Sequence, residues 1–222
     1  RGLSWAGAQP ESKSDYRARI DTVKQPYVSH ETGQWCVFPN FNEIRKYTGV
    51  NKAKNFEIFR DILNDNHMGG QSYDFMMASG KLQALCYKHE IEKTLRTPDY
   101  AGFQLLALND YSGQGTALVG VLDVFFEEKG YINAEQFRRF CSPTVPLARI
   151  PKFVYANDET FHADIEVSHF GAAPLQGAKT SYTIKDKFGK VYAKGTVGTQ
   201  TIPIGNLCAL GSVDMNLKEI DT

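Results

Sequence analysis

The spacing of apolar positions predicts helices in the middle of the chain. Between residues 53 and 63 the apolar side chains recur every three to four positions, as on one face of a helix. A longer helix is predicted over residues 72–95, broken or bent near Gly80 and ended by Pro98. A short amphipathic helix is predicted at residues 134–140.

Short apolar runs on either side of these helices predict strands. Residues 25–31 form a strand-like run that ends in Glu31, and residues 32–50 are predicted to form a long loop. Residues 103–108 form a compact apolar run, which is typical of a strand buried on both faces of a parallel sheet. Strand, helices, strand and helix in this order indicate an α/β layer.

The pattern changes to alternation in the last part of the chain. The prolines of residues 143–151 predict a domain linker. Beyond it, short runs alternate apolar and polar side chains, and a glycine-containing turn at residues 187–189 predicts a hairpin. This alternation predicts an immunoglobulin-like β-sandwich over residues 143–222. Residues 1–24 carry no strong periodicity and are predicted to be an irregular lead-in.

Composition narrows the classes of function. Lys+Arg and Asp+Glu both number 25, so the chain has no basic field to attract nucleic acid or an anionic membrane. No apolar run approaches the length of a membrane-spanning helix. The 4 cysteines are widely spaced, which favours buried thiols over a zinc site or a disulfide framework. Because the chain begins at Arg1 without a signal-peptide pattern, we interpret it as a processed or excised piece.

Single motifs suggest alternative chemistries. Gly113 and Gly115 follow a predicted strand as in a dinucleotide-binding turn, but Leu118 occupies the position of the third glycine. Nucleophilic catalysis by cysteine would need a histidine beside a thiol of lowered pKa, and the sequence places no cysteine at a helix start next to a histidine.

Polar side chains at predicted strand ends give a third interpretation. Glu31 ends the first predicted strand, and Asn109 and Asp110 follow the second. Aromatic side chains suited to stacking on a sugar ring accompany them, namely Trp35, Tyr73 and Tyr111. Glycoside hydrolysis needs carboxyl groups that protonate the leaving group or attack the anomeric centre. The competing interpretation is that these are only structural polar strand ends.

The order of these motifs resembles a known family. The segments "QPYVSHETGQW" and "AGFQLLALNDYSGQGT" resemble the last two strands of the catalytic barrel in glycoside hydrolase family 2, the β-galactosidase and β-glucuronidase family. The later "VPLARIPKFVYANDETFHADIEVSHFG" resembles the β-sandwich that follows the barrel in its larger members. The resemblance implies a partial (β/α)8 (TIM) barrel over residues 25–142, followed by the sandwich.

The resemblance also implies a mechanism and a partner. Glu31 matches the nucleophile of a retaining β-glycosidase that hydrolyses O-glycosyl bonds. No cofactor is expected and no residue is assigned to a metal site, while the sequence leaves metal dependence open. The expected substrate contacts are His30, Trp35, Tyr73, Asn109 and Asp110. Relatives carry tryptophans where this chain has "LLALND". A periplasmic or secreted bacterial glycan-degrading enzyme is what the family suggests.

The second carboxyl group of the family's mechanism has no match in the expected place. The family's acid/base belongs to an Asn-Glu pair that precedes the nucleophile, whereas Asn42-Glu43 follows Glu31. We therefore expect the remaining N-terminal domains of the same polypeptide to supply it, and the isolated chain to be inactive on carbohydrate substrates. The alternative is a non-catalytic carbohydrate-binding or structural module.

Overall fold

A computed structural model describes residues 9–111 and 117–220 of the chain. They form two compact units. The first unit comprises Val28–Glu90 and Gly102–Arg139. The second comprises the described residues that precede Val28, then Ile91–Ala101, and the described residues from Phe140 onward. The predicted domain boundaries after residues 24 and 142 stay predictions.

Helices form where the apolar spacing predicts them. After the short α1 (Arg17–Ile20), helix α2 spans Lys54–Asp65 and helix α3 spans Ser72–Arg96. Helix α3 is one continuous element, so the predicted break near Gly80 does not occur. Gly80 is needed for packing, because an added Cβ would lie 2.2 Å from Cδ1 of Tyr131. Within the described ranges, no helix combines the length and the apolarity required to cross a membrane.

The segment between the first strand and α2 is anchored by a short helical turn and an apolar cluster. A 3-10 helix spans Phe41–Lys46, and the side chain of Asn40 caps it by accepting a hydrogen bond from the Asn42 N–H at 3.2 Å. Ala53, which caps α2, and Phe56 of α2 are buried in one apolar cluster with Leu118. The partly buried members of this cluster are Phe41, Ile44 and Tyr47. The long loop predicted at residues 32–50 is therefore partly ordered by packing.

Strands β1 (Tyr27–Thr32) and β2 (Tyr100–Leu105) pair in a two-stranded sheet. His30 Nδ1 lies 3.0 Å from Gln104 Oε1, and the Leu106 N–H lies 3.4 Å from the Thr32 carbonyl. The first contact joins residue 30 to residue 104 and the second joins residue 32 to residue 106. Because the residue numbers rise in the same direction on both strands, β1 and β2 are parallel. Strand β2 ends before the predicted run 103–108 does, and its side chains are exposed or half-buried rather than buried on both faces.

The predicted partial (β/α)8 barrel is wrong. A barrel requires strands and helices to alternate around a closed parallel sheet. In the part of the chain that the structure describes, β1 and β2 pair only with each other, and residues 117–133 contribute isolated bridges instead of further strands. The chain then continues through the short α4 (Ala134–Arg138) into antiparallel strands. The first unit is a helical layer with a two-stranded sheet.

The second unit holds two antiparallel sheets. The first has the order β3 (Thr144–Arg149), β4 (Thr160–His169), β7 (Gly205–Asn216), and the second is a hairpin of β5 (Leu175–Lys185) and β6 (Val191–Ile202). Side chains of both sheets meet in one apolar cluster, with the buried members Val167, Ile202 and Leu210. The immunoglobulin-like prediction is wrong in its topology, because that fold needs about seven strands and the five strands β3 to β7 are arranged as three and two. The segment predicted as a linker is strand β3.

His162 on β4 lies between two carboxylates, and we predict a raised titration midpoint. Its Nδ1 lies 2.7 Å from Asp214 Oδ1 and its Nε2 lies 3.2 Å from Asp164 Oδ1. The hydrogen bond with Asp214 is the larger cause that raises the pKa of His162 above its ordinary value. We expect NMR titration to show this raised pKa and Asp214→Asn to lower it more than Asp164→Asn. Equal pKa values in the three proteins would contradict the assignment.

Candidate functional site

The carboxyl group of Glu31 stands at the end of β1 in an unusual backbone conformation. Glu31 has a φ of 55°, in the left-handed region that few residues other than glycine adopt. Gln34 Nε2 donates to Glu31 Oε2 at 2.6 Å, and His30 Nε2 lies 3.7 Å from Glu31 Oε1. The side chain of Glu31 keeps 25% exposure. Such backbone conformations cost free energy and cluster at functional sites, so the geometry makes Glu31 a candidate reacting group.

A side chain of helix α3 fixes the loop after Glu31 by hydrogen bonds. Gln83 is buried, and its Nε2 donates to the carbonyl of Trp35 at 2.6 Å and to the carbonyl of Val119 at 3.0 Å. The Tyr131 hydroxyl donates to Gln83 Oε1 at 2.5 Å. This amide therefore joins the segment that carries Glu31 to the segment after β2.

Gly33 is required for this arrangement, and we expect Gly33→Ala to be strongly destabilising. Gly33 has a φ of +83°, and an added Cβ would lie 2.0 Å from Cε1 of Tyr87. Tyr87 is buried and is fixed by its hydrogen bond to the Val119 carbonyl at 2.7 Å. We expect a loss of about 3 kcal/mol or more in the free energy of unfolding, from backbone strain and overpacking together.

The matched control for this variant is Gly130→Ala. Gly130 has a φ of +93°, but an added Cβ would meet nothing within 4 Å. It carries the backbone strain without the clash, so a loss of about 1 kcal/mol is expected. Denaturant unfolding of both variants measures the difference. Equal losses would show that the contact with Tyr87 does not matter.

The predicted substrate contacts do not form one group. His30 lies beside Glu31 and Gln104, whereas Trp35 is half-buried and its indole N–H is enclosed without a hydrogen-bond partner among the described residues. Asn109 donates from Nδ2 to the carbonyl of Asp110 at 2.9 Å. Asp110 itself is buried. The structure thus places Asp110 away from solvent, in a separate set of charged groups.

That set is a buried charge cluster, formed by Glu43, Lys46, Asp110, Asp123 and Lys129. Lys129 Nζ lies 2.6 Å from Asp110 Oδ2 and donates to the Gly120 carbonyl at 2.7 Å. Lys46 Nζ donates to Asp123 Oδ2 at 2.5 Å.

Burial and pairing act in opposite directions within the cluster. Burial raises the pKa of Asp110, and Lys129 opposes the rise. At Asp123 burial is outweighed by hydrogen bonds from Lys46 and two backbone N–H groups, so the pKa falls. Burial raises the pKa of Glu43 to about 7, with added repulsion from Asp123 and Asp110.

Tyr73 lines a third site, a small groove with a volume of about 60 Å³. Tyr73 is 62% exposed at the start of α3. The other lining residues come from the segment after β1 and from α3, namely Pro39, Asn40, Phe41, Asn42, Ser72 and Met76. Aromatic rings, amides and a hydroxyl without charged groups suit a neutral polar ligand.

The structure offers little support for dinucleotide binding, cysteine catalysis or metal binding in the described residues. Gly113 and Gly115 of the dinucleotide-type turn lie outside the described residues. Burial raises the pKa of Cys86 to about 11, so its thiol stays protonated at neutral pH and is a poor nucleophile. In the ranges 9–111 and 117–220, His, Cys, Asp and Glu form no group of three or more that could hold a metal ion.

Several residues of these sites were missed by sequence reasoning. Gln34 and Gln104 are exposed amides without a motif, and Lys129 is a charged residue in a polar stretch. The one weak signal in the sequence was the glycine at position 120, since a glycine can mark a close approach of two backbone segments. In the structure a Cβ added at Gly120 would lie 2.2 Å from the backbone of Asn109.

Comparisons with known proteins address only the last part of the chain. A family model described as "Domain of unknown function (DUF8488)" matches residues 159–222. No curated protein matches the chain. The matched segment contains β4 to β7 and contains neither Glu31 nor the buried charge cluster. The candidate site of the first unit therefore rests on its own chemistry, and the last third of the chain is similar to a family whose function is undefined.

Proposed function

We propose that this chain carries the nucleophile of a retaining β-glycosidase, with Glu31 in that role. The observation that supports the proposal most is the partly exposed carboxylate of Glu31, which is carried on strained backbone at a strand end and accepts a hydrogen bond from Gln34. In a retaining mechanism the carboxylate attacks the anomeric carbon and the aglycone leaves with a proton from a second carboxyl group. Water then releases the sugar. The ordered resemblance of "QPYVSHETGQW" to glycoside hydrolase family 2 points to β-linked sugars.

The acid/base of this mechanism is assigned to another part of the polypeptide. Glu43, in the Asn42-Glu43 pair, has 1% exposure. A carboxyl group buried this deeply does not reach a sugar that arrives from solvent. We propose that N-terminal domains of the same polypeptide supply the second carboxyl group and cover the edges of β1 and β2 that no described strand pairs with. We also propose that the chain alone does not turn over substrate.

Covalent trapping tests the proposal. A 2-deoxy-2-fluoro β-glycoside with a dinitrophenyl leaving group needs no acid catalyst, because the leaving group departs as the anion. With the complete polypeptide, we expect mass spectrometry to find the fluorosugar on the peptide that contains Glu31. Glu135→Gln, at a side chain with 82% exposure, is the control and should label normally. Labelling elsewhere, or none, would remove Glu31 from the mechanism.

The second candidate function is a non-catalytic carbohydrate-binding module. The observation in its favour is the uncharged groove beside Tyr73. It predicts that Tyr73→Ala weakens sugar binding while Glu31→Gln leaves it unchanged. Calorimetric titration of both variants with the same oligosaccharide distinguishes the two functions.

A further inference from the structure

Glu43 carries a buried titratable group that the proposed chemistry does not use. Glu43 lies in the 3-10 helix Phe41–Lys46 and has 1% exposure. Its Oε2 is enclosed and has no hydrogen-bond partner among the described residues. A buried carboxylate oxygen without a donor is costly, whereas a protonated carboxyl group loses much less on burial.

Charged and titratable groups face Glu43 from several elements. Its own helix and the next residue contribute Lys46 and Tyr47, while Ala53, which caps α2, and Phe56 of α2 pack on apolar side chains of this helix. The segment that follows β2 contributes Asp110, Asp123, Lys129 and Tyr131, with Glu127 paired to Lys46 at the surface.

The charges of the buried cluster balance only when Glu43 is neutral. With Glu43 ionised, the three carboxylates of Glu43, Asp110 and Asp123 face the two ammonium groups of Lys46 and Lys129. The two lysines already form close ion pairs with Asp123 and Asp110 at 2.5 and 2.6 Å. Ionised Glu43 is then a surplus negative charge in a buried site, next to carboxylates of the same sign.

We propose that Glu43 is the proton-binding group of a pH-sensitive latch, in which its protonated form holds the 3-10 helix Phe41–Lys46 against the Asp110–Lys129 segment. When Glu43 releases its proton to solvent, repulsion from Asp110 and Asp123 loosens the helix. The latch lies between the end of β1 and the start of α2, and it holds whether or not Glu31 is a nucleophile.

The direction of the pH dependence follows from the two states of the latch. Burial, Asp123 and Asp110 raise the pKa of Glu43 from 4.5 to about 7 in the closed state. In the open state the carboxyl group meets solvent and returns to its ordinary pKa. Below the open-state pKa both states are protonated, so opening does not depend on pH. Between the two pKa values the closed state binds more protons, so opening increases by up to about tenfold per pH unit and then levels off.

Hydrogen exchange of peptides covering residues 41–47 tests the latch in the whole chain. After correction for the intrinsic exchange rate, we expect opening in the unmodified protein to be on the order of 100-fold greater at pH 8 than at pH 5. Glu43→Gln should remove this difference and keep the helix closed at both pH values. Glu57→Gln on α2, at a side chain with 27% exposure, is the matched control and should behave like the unmodified protein. A pH-independent unmodified protein, or an unchanged pH dependence in Glu43→Gln, would overturn the latch.

A second measurement does not depend on the variant folding. Carbon-13 NMR of the Glu43 carboxyl group in the unmodified chain follows its ionisation directly. We expect a midpoint near 7, and a midpoint near 4.5 would overturn the proposal.

Discussion

Glu31→Ala is expected to lower kcat of the complete polypeptide on β-glycosides by a factor on the order of 10⁶. Removal of the covalent nucleophile lowers kcat by a similar factor in other hydrolases. The reason is that the retaining pathway has no first step without a carboxylate at the anomeric carbon. Substrate binding should change little, because the groups around Glu31, including His30 and Gln34, remain. Steady-state kinetics with an aryl β-glycoside measure both effects.

Chemical rescue separates a nucleophile from a merely structural glutamate. Alanine at position 31 leaves a gap that a small anion such as azide can enter. Azide should attack the activated aryl glycoside once, expel the phenolate and give a glycosyl azide of inverted configuration. Glu135→Gln should retain normal kcat and show no azide effect. Normal kcat in Glu31→Ala, or an azide product of retained configuration, would exclude Glu31 as the nucleophile.

Helices were predictable from the sequence because the spacing of apolar residues that specifies a helix lies within the helix itself. The spacing of apolar residues predicts a helix at 53–63 and another at 72–95, and α2 and α3 occupy Lys54–Asp65 and Ser72–Arg96. The predicted break at Gly80 was a wrong inference from a local rule, because α3 continues through this residue. Tyr131, 51 positions later in the numbering, needs the space that a side chain at Gly80 would fill.

Strands were harder to predict because their partners decide them. The prolines of residues 143–151 predicted a linker, yet Pro146 lies in β3 opposite Val167. Strand β3 is at the edge of its sheet, where a residue without an N–H is tolerated on the outward side. Strand β2 likewise ends before the apolar run 103–108 does. Leu106 and Leu108 are exposed, and no third strand of the described chain pairs there to extend the sheet.

The residues of the candidate site also differ in how far they could be predicted, depending on whether their role rests on neighbouring residues or on distant partners. Glu31 could be singled out because a glutamate at a strand end, two residues before a glycine, is a local signal, and the resemblance gave it a specific role. The buried charge cluster could not be predicted, because Lys46 and Asp123 are 77 positions apart and become partners only in the fold. Asp110 was predicted to contact substrate from its position after an apolar run and from the resemblance, and in the structure its carboxylate pairs with Lys129.

That ion pair gives the largest stability effect we expect, in Lys129→Met. The side chains of Lys129 and Asp110 have 3% and 1% exposure, so removing the ammonium group leaves a buried carboxylate without its counter-charge. We expect a loss of about 3–5 kcal/mol in the free energy of unfolding at pH 8. Lys54→Met is the control, since Lys54 pairs with Glu57 at 74% exposure, and a surface pair of this kind contributes about 1 kcal/mol or less.

The pH dependence and a double variant identify the cause of this loss. Without Lys129 the pKa of Asp110 rises further, so at low pH the carboxyl group binds a proton and the deficit relative to the unmodified protein becomes smaller. At high pH the folded state must keep the unpaired charge, so the deficit is largest there. Adding Asp110→Asn to Lys129→Met removes that charge at every pH and should recover part of the lost stability. Denaturant unfolding at pH 5 and pH 8 measures all three proteins. A deficit that is the same at both pH values and unrelieved by Asp110→Asn would mean that lost packing of the lysine stem, and not an uncompensated carboxylate, destabilises the variant.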